Sequence, residues 1–135
     1  MALDDAGVKH LEFLQAVITR MASNSFFMKG WALSAAGLFY GFAAKGTSWQ
    51  VAAIGLLPVV AFWGLDAYYL RQERLYRKLY DAVRRGDGSV EPFSMNAQPY
   101  AGEVADILAT ALSKTVLPFY GLIFMTGVVV IGAIH

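Results

Sequence analysis

The chain has 135 residues, of which 57% are hydrophobic, and its 11 basic and 10 acidic side chains leave a formal net charge of +1. The absence of cysteine excludes disulfide bonds, thiolate nucleophiles and cysteine-bound metals, and the near-neutral charge indicates no nucleic acid polymer as a partner. The N-terminal stretch MALDDAGVKHLEFLQ is acidic and lacks an apolar core, so we expect no cleaved secretory signal.

The first predicted element is an amphipathic helix over residues 8–25, whose apolar side chains recur at helical spacing. These side chains are Leu11, Leu14, Ile18 and Met21. Ser23, Asn24 and Ser25 lie near its end. Because such residues cap or hinge helices, we predict a break or bend before the apolar segment that follows.

Three apolar segments come next, and each approaches the roughly 20 residues that a helix needs to cross a bilayer. They predict transmembrane helices at residues 27–45, 49–70 and 116–134. The second and third segments are apolar on every face, whereas helices of soluble proteins normally keep a polar stripe. We therefore favour an all-α integral membrane protein over the alternative, a soluble helical bundle with very apolar core helices.

The first two spans contain residues that alter helix packing. Gly37 and Gly41 have the GxxxG spacing, which permits close approach of helices in lipid, either within one chain or between two copies. Pro58 lies in the middle of the second span, where its ring removes a backbone hydrogen bond. It predicts either a simple kink or a gating hinge.

Lysine and arginine are distributed unequally around the three spans. Lys9 and Arg20 precede the first span, Lys29 lies in its first turn, and most of the other basic residues lie between the second and third spans. Where the first span meets the loop to the second, the only basic residue is Lys45. The positive-inside rule therefore places the N-terminus and the long middle segment in the cytoplasm, and the C-terminus outside.

The middle segment begins as a continuation of the second span. Helical periodicity persists over residues 71–85, which we call the stalk, and the glycines of RGDGS are expected to end it. A linker over residues 86–99 and an amphipathic helix over 100–114 are predicted to follow. Since one protomer covers the apolar faces of these extended cytoplasmic helices only in part, we expect a homo-oligomeric bundle.

A set of polar and aromatic residues near the cytoplasmic ends of the first two spans forms the candidate ligand site. Its members are Arg20, Asn24, Lys29, Asp66, Tyr69 and Arg74. Arginine forks bind phosphate and aromatic rings stack on bases, so the set fits an anionic, ring-bearing ligand such as a nucleotide. The alternatives are ordinary membrane anchoring by the basic residues and, for Asp66, a structural pair with Lys29 or Arg20.

The sequence contains no catalytic constellation. The two histidines, His10 and His135, fall on opposite sides of the membrane in this topology, and no serine or threonine has an obvious base. We therefore expect no enzymatic activity, no cofactor and no metal. The spans also lack the repeated acids that proton-coupled transporters carry.

Two stretches carry a resemblance to a known family: LEFLQAVITRMASNSFFMKGW (11–31) and WGLDAYYLRQERLYRKLYD (63–81). They resemble a family of short bacterial membrane proteins whose genes tend to lie beside TIR-like or other anti-phage signalling genes. The resemblance covers the first two-thirds of the chain and includes no catalytic motif. It implies a membrane effector: infection produces a nucleotide-type second messenger, the cytoplasmic part senses it, and the spans disturb the inner membrane.

The resulting hypothesis is a small, multi-pass, oligomeric effector of the bacterial inner membrane, gated by a signal nucleotide and able to disrupt the membrane or form a pore. Two alternatives belong to other classes of protein. One is a non-conducting anchor or scaffold that recruits a cytoplasmic partner through the amphipathic helices. The other is an accessory subunit of a larger membrane complex.

Overall fold

The computed structural model describes residues 5–45, 48–86 and 90–134, and every regular element within these ranges is a helix. The helices in chain order are α1 (Asp5–Ala44), α2 (Trp49–Arg85), a 3-10 helix (Gln98–Glu103), α3 (Ile107–Ala111) and α4 (Leu117–Ile134). No strand occurs in the described part of the chain. The prediction of an all-α protein is confirmed.

Two long antiparallel helices form the frame of the molecule. With 40 and 37 residues, α1 and α2 are about 60 and 55 Å long. Gly55, early in α2, lies against Phe39, late in α1. Asp66, later in α2, lies against Lys29, earlier in α1, so the two helices run in opposite directions. The predicted break near residues 23–25 is wrong, because α1 continues through them. Ser25 is buried against α2 and uses its hydroxyl there instead of capping a helix end.

The apolar segment and the stalk belong to one helix, since α2 runs without interruption from Trp49 to Arg85. Pro58 lies inside this helix. The helix ends at Gly86, whose φ of 64° is left-handed and favours glycine. Its amide donates to the carbonyl of Val83 at 3.0 Å, and the rest of the predicted stop, residues 87–89, lies outside the described residues.

The frame contains two separate hydrophobic cores, one in each half of the α1–α2 pair. The first joins α1, α2 and α4 through buried residues that include Ala36, Val59 and Tyr120. The second joins the N-terminal half of α1 to the stalk, with Leu14, Leu79 and neighbouring side chains at its centre. The polar residues Ser25, Lys29 and Asp66 lie between the two cores.

Part of the second core comes from the segment that the sequence indicated as an irregular linker. Ala97 of this segment is buried in the core, and Val90 and Met95 of the segment pack against that core, as do Tyr100 and Val104 just after it. The chain thus covers much of the apolar face of its own stalk. Oligomerisation, which we expected for this reason, is untested by the single chain and stays a prediction.

The predicted amphipathic helix over residues 100–114 is wrong. Its place is taken by the 3-10 helix and by the five-residue α3, with Val104 in extended conformation between them. Pro99 fits the first turn of the 3-10 helix, and Asp106 starts a new helix by accepting from the amide of Ala109 at 2.8 Å. The single periodic face proposed for this region is therefore divided between two elements.

Two of the described helices, α2 and α4, are long and apolar enough to cross a membrane, judged by length and composition. Their predicted spans, 49–70 and 116–134, fall on these helices with small shifts in the bounds. The segment 27–45 is helical as expected, but α1 does not reach the same apolarity. Its glycines, alanines and serines are less apolar than the leucine, isoleucine and valine of α4.

Candidate functional site

Asp66 lies at the centre of a polar cluster between α1 and α2. Its side chain is 0% exposed. The hydroxyl of Ser25 donates to Oδ1 of Asp66, and Nζ of Lys29 donates to Oδ2 at 2.6 Å. Lys29 also donates to Oγ of Ser25 at 3.2 Å. Ser25 and Lys29 are four residues apart, and this spacing puts both on the face of α1 that meets α2.

The third helix of the first hydrophobic core, α4, reaches the same place through Tyr120. This residue of α4 is fully buried, and its hydroxyl interacts electrostatically with Asp66 without forming a hydrogen bond of its own. Its ring stacks on Trp63 of α2, with centroids 6.0 Å apart and an interplanar angle of 9°. We call Ser25, Lys29, Asp66 and Tyr120 together the polar joint, because three helices contribute to it.

The electrostatics of the polar joint explain its arrangement. A carboxylate taken out of water loses its hydration, and only direct hydrogen bonds and an opposite charge offset that loss. Asp66 receives both from α1. The Lys29 side chain keeps 22% exposure, so its ammonium group also reaches the surface. The pair is neutral overall and holds α1 to α2 in one register.

The polar joint marks the end of the apolar half of the molecule. Tyr120 lies only one turn into α4, which begins at Leu117, and Asp66 lies where the apolar residues of α2 give way to Arg71 and the stalk. Lys29 occupies the same level on α1. A charged pair is tolerated most easily at such a boundary, since the lysine side chain can extend toward water.

The structure brings together only part of the predicted ligand set. Lys29 and Asp66 form the expected structural pair. Arg20 is exposed on α1, and the ring of Tyr69 meets its neighbour Tyr68 at 5.5 Å. No hydrogen bond or ion pair within the described ranges joins Arg20, Asn24 or Tyr69 to Asp66.

Arg74, the remaining predicted residue, lies on a different surface of the stalk. It lines an open groove of about 340 Å³ between the stalk and the segment that precedes α3. The basic residues of this groove are Arg74, Arg77 and Lys78, and its acidic residues are Asp81 and Glu103. Arg77 pairs with Glu73 at 3.2 Å, as the i,i+4 spacing indicates, whereas no ion pair in the described part of the chain holds Arg74 or Lys78.

The glycines predicted to pack helices face open space. A Cβ added to Gly37 or Gly41 meets nothing within 4 Å, so packing of this pair within the chain is excluded in this fold. Both line a shallow groove of about 230 Å³ on the outer side of α1. The close helix contacts occur instead at Gly55, where an added Cβ would lie 2.5 Å from Cβ of Phe39, and at Gly127.

Sequence reasoning missed two members of the polar joint. Ser25 was interpreted as a cap or hinge residue, and Tyr120 was not among the candidate site residues. The four-residue spacing from Ser25 to Lys29 was the available signal for the first. No pattern in the sequence indicates that Tyr120 meets Asp66, because that contact depends on how α4 packs on α2.

No protein-family model, curated protein or solved structure matches the chain. The site must therefore be interpreted from its own geometry.

Proposed function

We propose that the chain is a three-span protein of the bacterial inner membrane, with its N-terminus in the cytoplasm and its C-terminus outside. Three helical segments of equal length support this topology. Each runs from the level of the polar joint to the end of the molecule that lies away from the stalk. They are residues 27–44 of α1, 49–66 of α2 and 117–134 of α4. Each is about 27 Å long, close to the thickness of the hydrocarbon core.

The outer surface of this half supports the same proposal. Large apolar side chains are exposed on all three segments, and in water such a surface would favour aggregation. They include Leu33, Leu38, Phe42, Ile54, Leu57, Val60, Leu122, Met125 and Val129. Lipid chains would cover them. The basic residues of the stalk then lie on the cytoplasmic side, in agreement with the positive-inside rule.

Within that topology, we propose that the protein is a small oligomeric effector without enzymatic activity, which couples a cytoplasmic event to its membrane spans. The observation that carries this proposal is the polar joint. Both α1 and α2 pass through it without a break, and the Lys29–Asp66 pair fixes their relative register there. A displacement of the stalk therefore reaches the spans directly.

The signal in this proposal is a nucleotide-type second messenger made by a TIR-like enzyme during phage infection, as the family resemblance implies. The groove beside Arg74 and Lys78 is the best place for its phosphates, since these cations have no acidic partner in the described structure and the groove opens to solvent. Asp66 would act through the polar joint, because it is fully buried and already paired. Membrane disruption or pore formation would follow from a change in span packing.

A membrane-potential dye in bacterial cells tests the effector function. We expect depolarisation only when the chain and the signalling enzyme are produced together. Arg74→Ala should weaken the response, whereas Arg85→Ala, which changes an exposed arginine at the far end of the stalk, should leave it unchanged. If the single variants Arg74→Ala and Asp66→Asn both respond to the signal like wild type, the proposed ligand site is rejected. A reporter fused after residue 135 that proves cytoplasmic would reject the topology.

One observation favours the scaffold alternative. A second open groove, of about 380 Å³, runs along the cytoplasmic part of α1 and includes the exposed Phe26 and Phe27, with Arg77 at its edge. Exposed aromatic side chains with an arginine are typical of protein-binding surfaces. An unchanged membrane potential with stable capture of one cytoplasmic protein, lost in Phe26→Ser, would support the scaffold over the effector.

A further inference from the structure

The short helix α3 presents an apolar surface that the rest of the chain does not cover. Leu108 is 71% exposed and Leu112 is 55% exposed, and Ile107 beside them is also exposed. The opposite side of the helix is anchored, since Thr110 is fully buried. A soluble domain of this size would leave three neighbouring large apolar side chains in water only at a cost in free energy.

Two side-chain hydrogen bonds from α2 fix the depth of α3. Nε of Arg71 donates to the carbonyl of Ala105 at 3.1 Å, and Nε1 of Trp63 donates to the carbonyl of Ala111 at 2.9 Å. Arg71 and Trp63 are eight residues apart on α2, which is about 12 Å along the helix axis. The chain therefore descends from the level of the stalk to a level inside the second span, past Asp66.

The backbone in this region is suited to contact with lipid. Lipid offers no hydrogen-bond partners, so exposed amides must be satisfied by the protein itself. The amides of residues 109, 110, 112, 113, 116 and 117 all have acceptors within residues 106–113. The turn between α3 and α4 thus satisfies these donors without water.

Charged residues flank α3, with acidic side chains before it and a lysine after it. Asp106 and Glu103 precede α3 on the shallow side, where water is available, and Lys114 follows it on the exposed surface. Lysine at this depth can extend to the phosphates of the cytoplasmic leaflet, to which basic residues are attracted.

We propose that α3, with Leu108 and Leu112 at its centre, is inserted into the cytoplasmic leaflet of the membrane and binds the boundary between acyl chains and headgroups. Its occupant is lipid because the surface continues in sequence and in depth into α4, whose Leu122 is 70% exposed on the span. The insertion attaches the cytoplasmic half to the membrane beside the polar joint. This inference rests on the proposed membrane topology.

Single-cysteine labelling tests the inference cleanly, because the natural chain has no cysteine. Leu108→Cys and Leu112→Cys are labelled with an environment-sensitive fluorophore in vesicles of phosphatidylcholine and phosphatidylglycerol. Quenching by nitroxide-labelled lipid and by aqueous iodide is then compared. Leu122→Cys is the control for the span, and Gly102→Cys, exposed before α3, is the control for water.

We expect lipid quenching at positions 108 and 112 within about twofold of that at 122, and several-fold above that at 102, as for an interfacial helix. Lipid quenching at 122 together with iodide quenching at 108 would overturn the inference and leave the topology standing. Protection of 108 from both quenchers would mean that a protein surface covers α3, and would also overturn it. A control at 122 quenched only by iodide would reject the membrane topology itself.

Discussion

Lys29→Met removes the positive charge of the polar joint and keeps a side chain of similar length. It leaves Asp66, which is fully buried, with the hydroxyl of Ser25 as its one hydrogen-bond donor in the described structure. Asp66→Asn removes the other charge and leaves an ammonium group whose side chain is 22% exposed and can turn toward solvent. The two single variants should therefore differ in stability, although they break the same ion pair.

The size of the difference follows from burial. Removing one partner of a buried pair costs about 3–5 kcal/mol, because the other charge is left without compensation. We expect Lys29→Met near the lower end, at about 3 kcal/mol, since one hydrogen bond to Asp66 persists. Asp66→Asn should cost about 1–2 kcal/mol, because Lys29 regains solvation. The double variant Lys29→Met/Asp66→Leu should lie close to wild type, as apolar replacements of buried pairs often do.

Unfolding in mixed detergent micelles, followed by circular dichroism, measures these free energies, and the further single variant Asp66→Leu completes a double-mutant cycle with Lys29→Met. Lys9→Met is the matched control, because it breaks the exposed pair with Glu12 and should change stability by less than about 0.5 kcal/mol. If Lys29→Met and Asp66→Asn both match this control, or if the costs of Lys29→Met and Asp66→Leu simply add in the double variant, the Lys29–Asp66 pair does not hold the helices together.

Two further predictions concern the packing of α1 and α2. Gly55→Ala should destabilise the protein by about 1–3 kcal/mol, because the new Cβ meets Phe39 and forces the helices apart. Gly37→Ala, which meets nothing, should be neutral or slightly stabilising in the same unfolding assay, and equal effects of the two would refute the helix contact at Gly55. Leu79→Ala should cost about 2–5 kcal/mol by opening a cavity in the second core, measured by unfolding and by protease resistance of the stalk. Phe13→Ala, at a half-exposed site, should cost much less, and a similar loss from both would show that Leu79 is not a core residue.

The polar joint changes the interpretation of Asp66. The sequence left two roles open for this acid, a structural pair or a ligand contact. Because the structure buries and pairs it, any ligand must act from the surface of the stalk, where Arg74 and Lys78 line an open groove. The predicted six-residue site is therefore better described as two neighbouring parts, a buried link between helices and an exposed basic surface.

Local patterns were reliable where one helix determined the answer. The apolar stretch through Leu70, the periodic stalk and the glycine after Arg85 together predicted α2 and its end. Local patterns failed where another helix competed. Ser25 has the chemistry of a cap, but its hydroxyl is used by Asp66. The periodic face over 100–114 was real in sequence, yet Pro99 and Asp106 began two separate elements.

The sequence by itself determined the helical class, the apolar character of the segments now in α2 and α4, and the asymmetric placement of the basic residues. These properties follow from composition and periodicity along a single segment. Only the tertiary structure decided that Lys29 is the partner of Asp66, that Tyr120 joins them, and that Gly55 rather than Gly37 allows close approach. Such contacts join residues far apart in the chain, and their choice depends on how whole helices pack and rotate against each other, which no local pattern encodes.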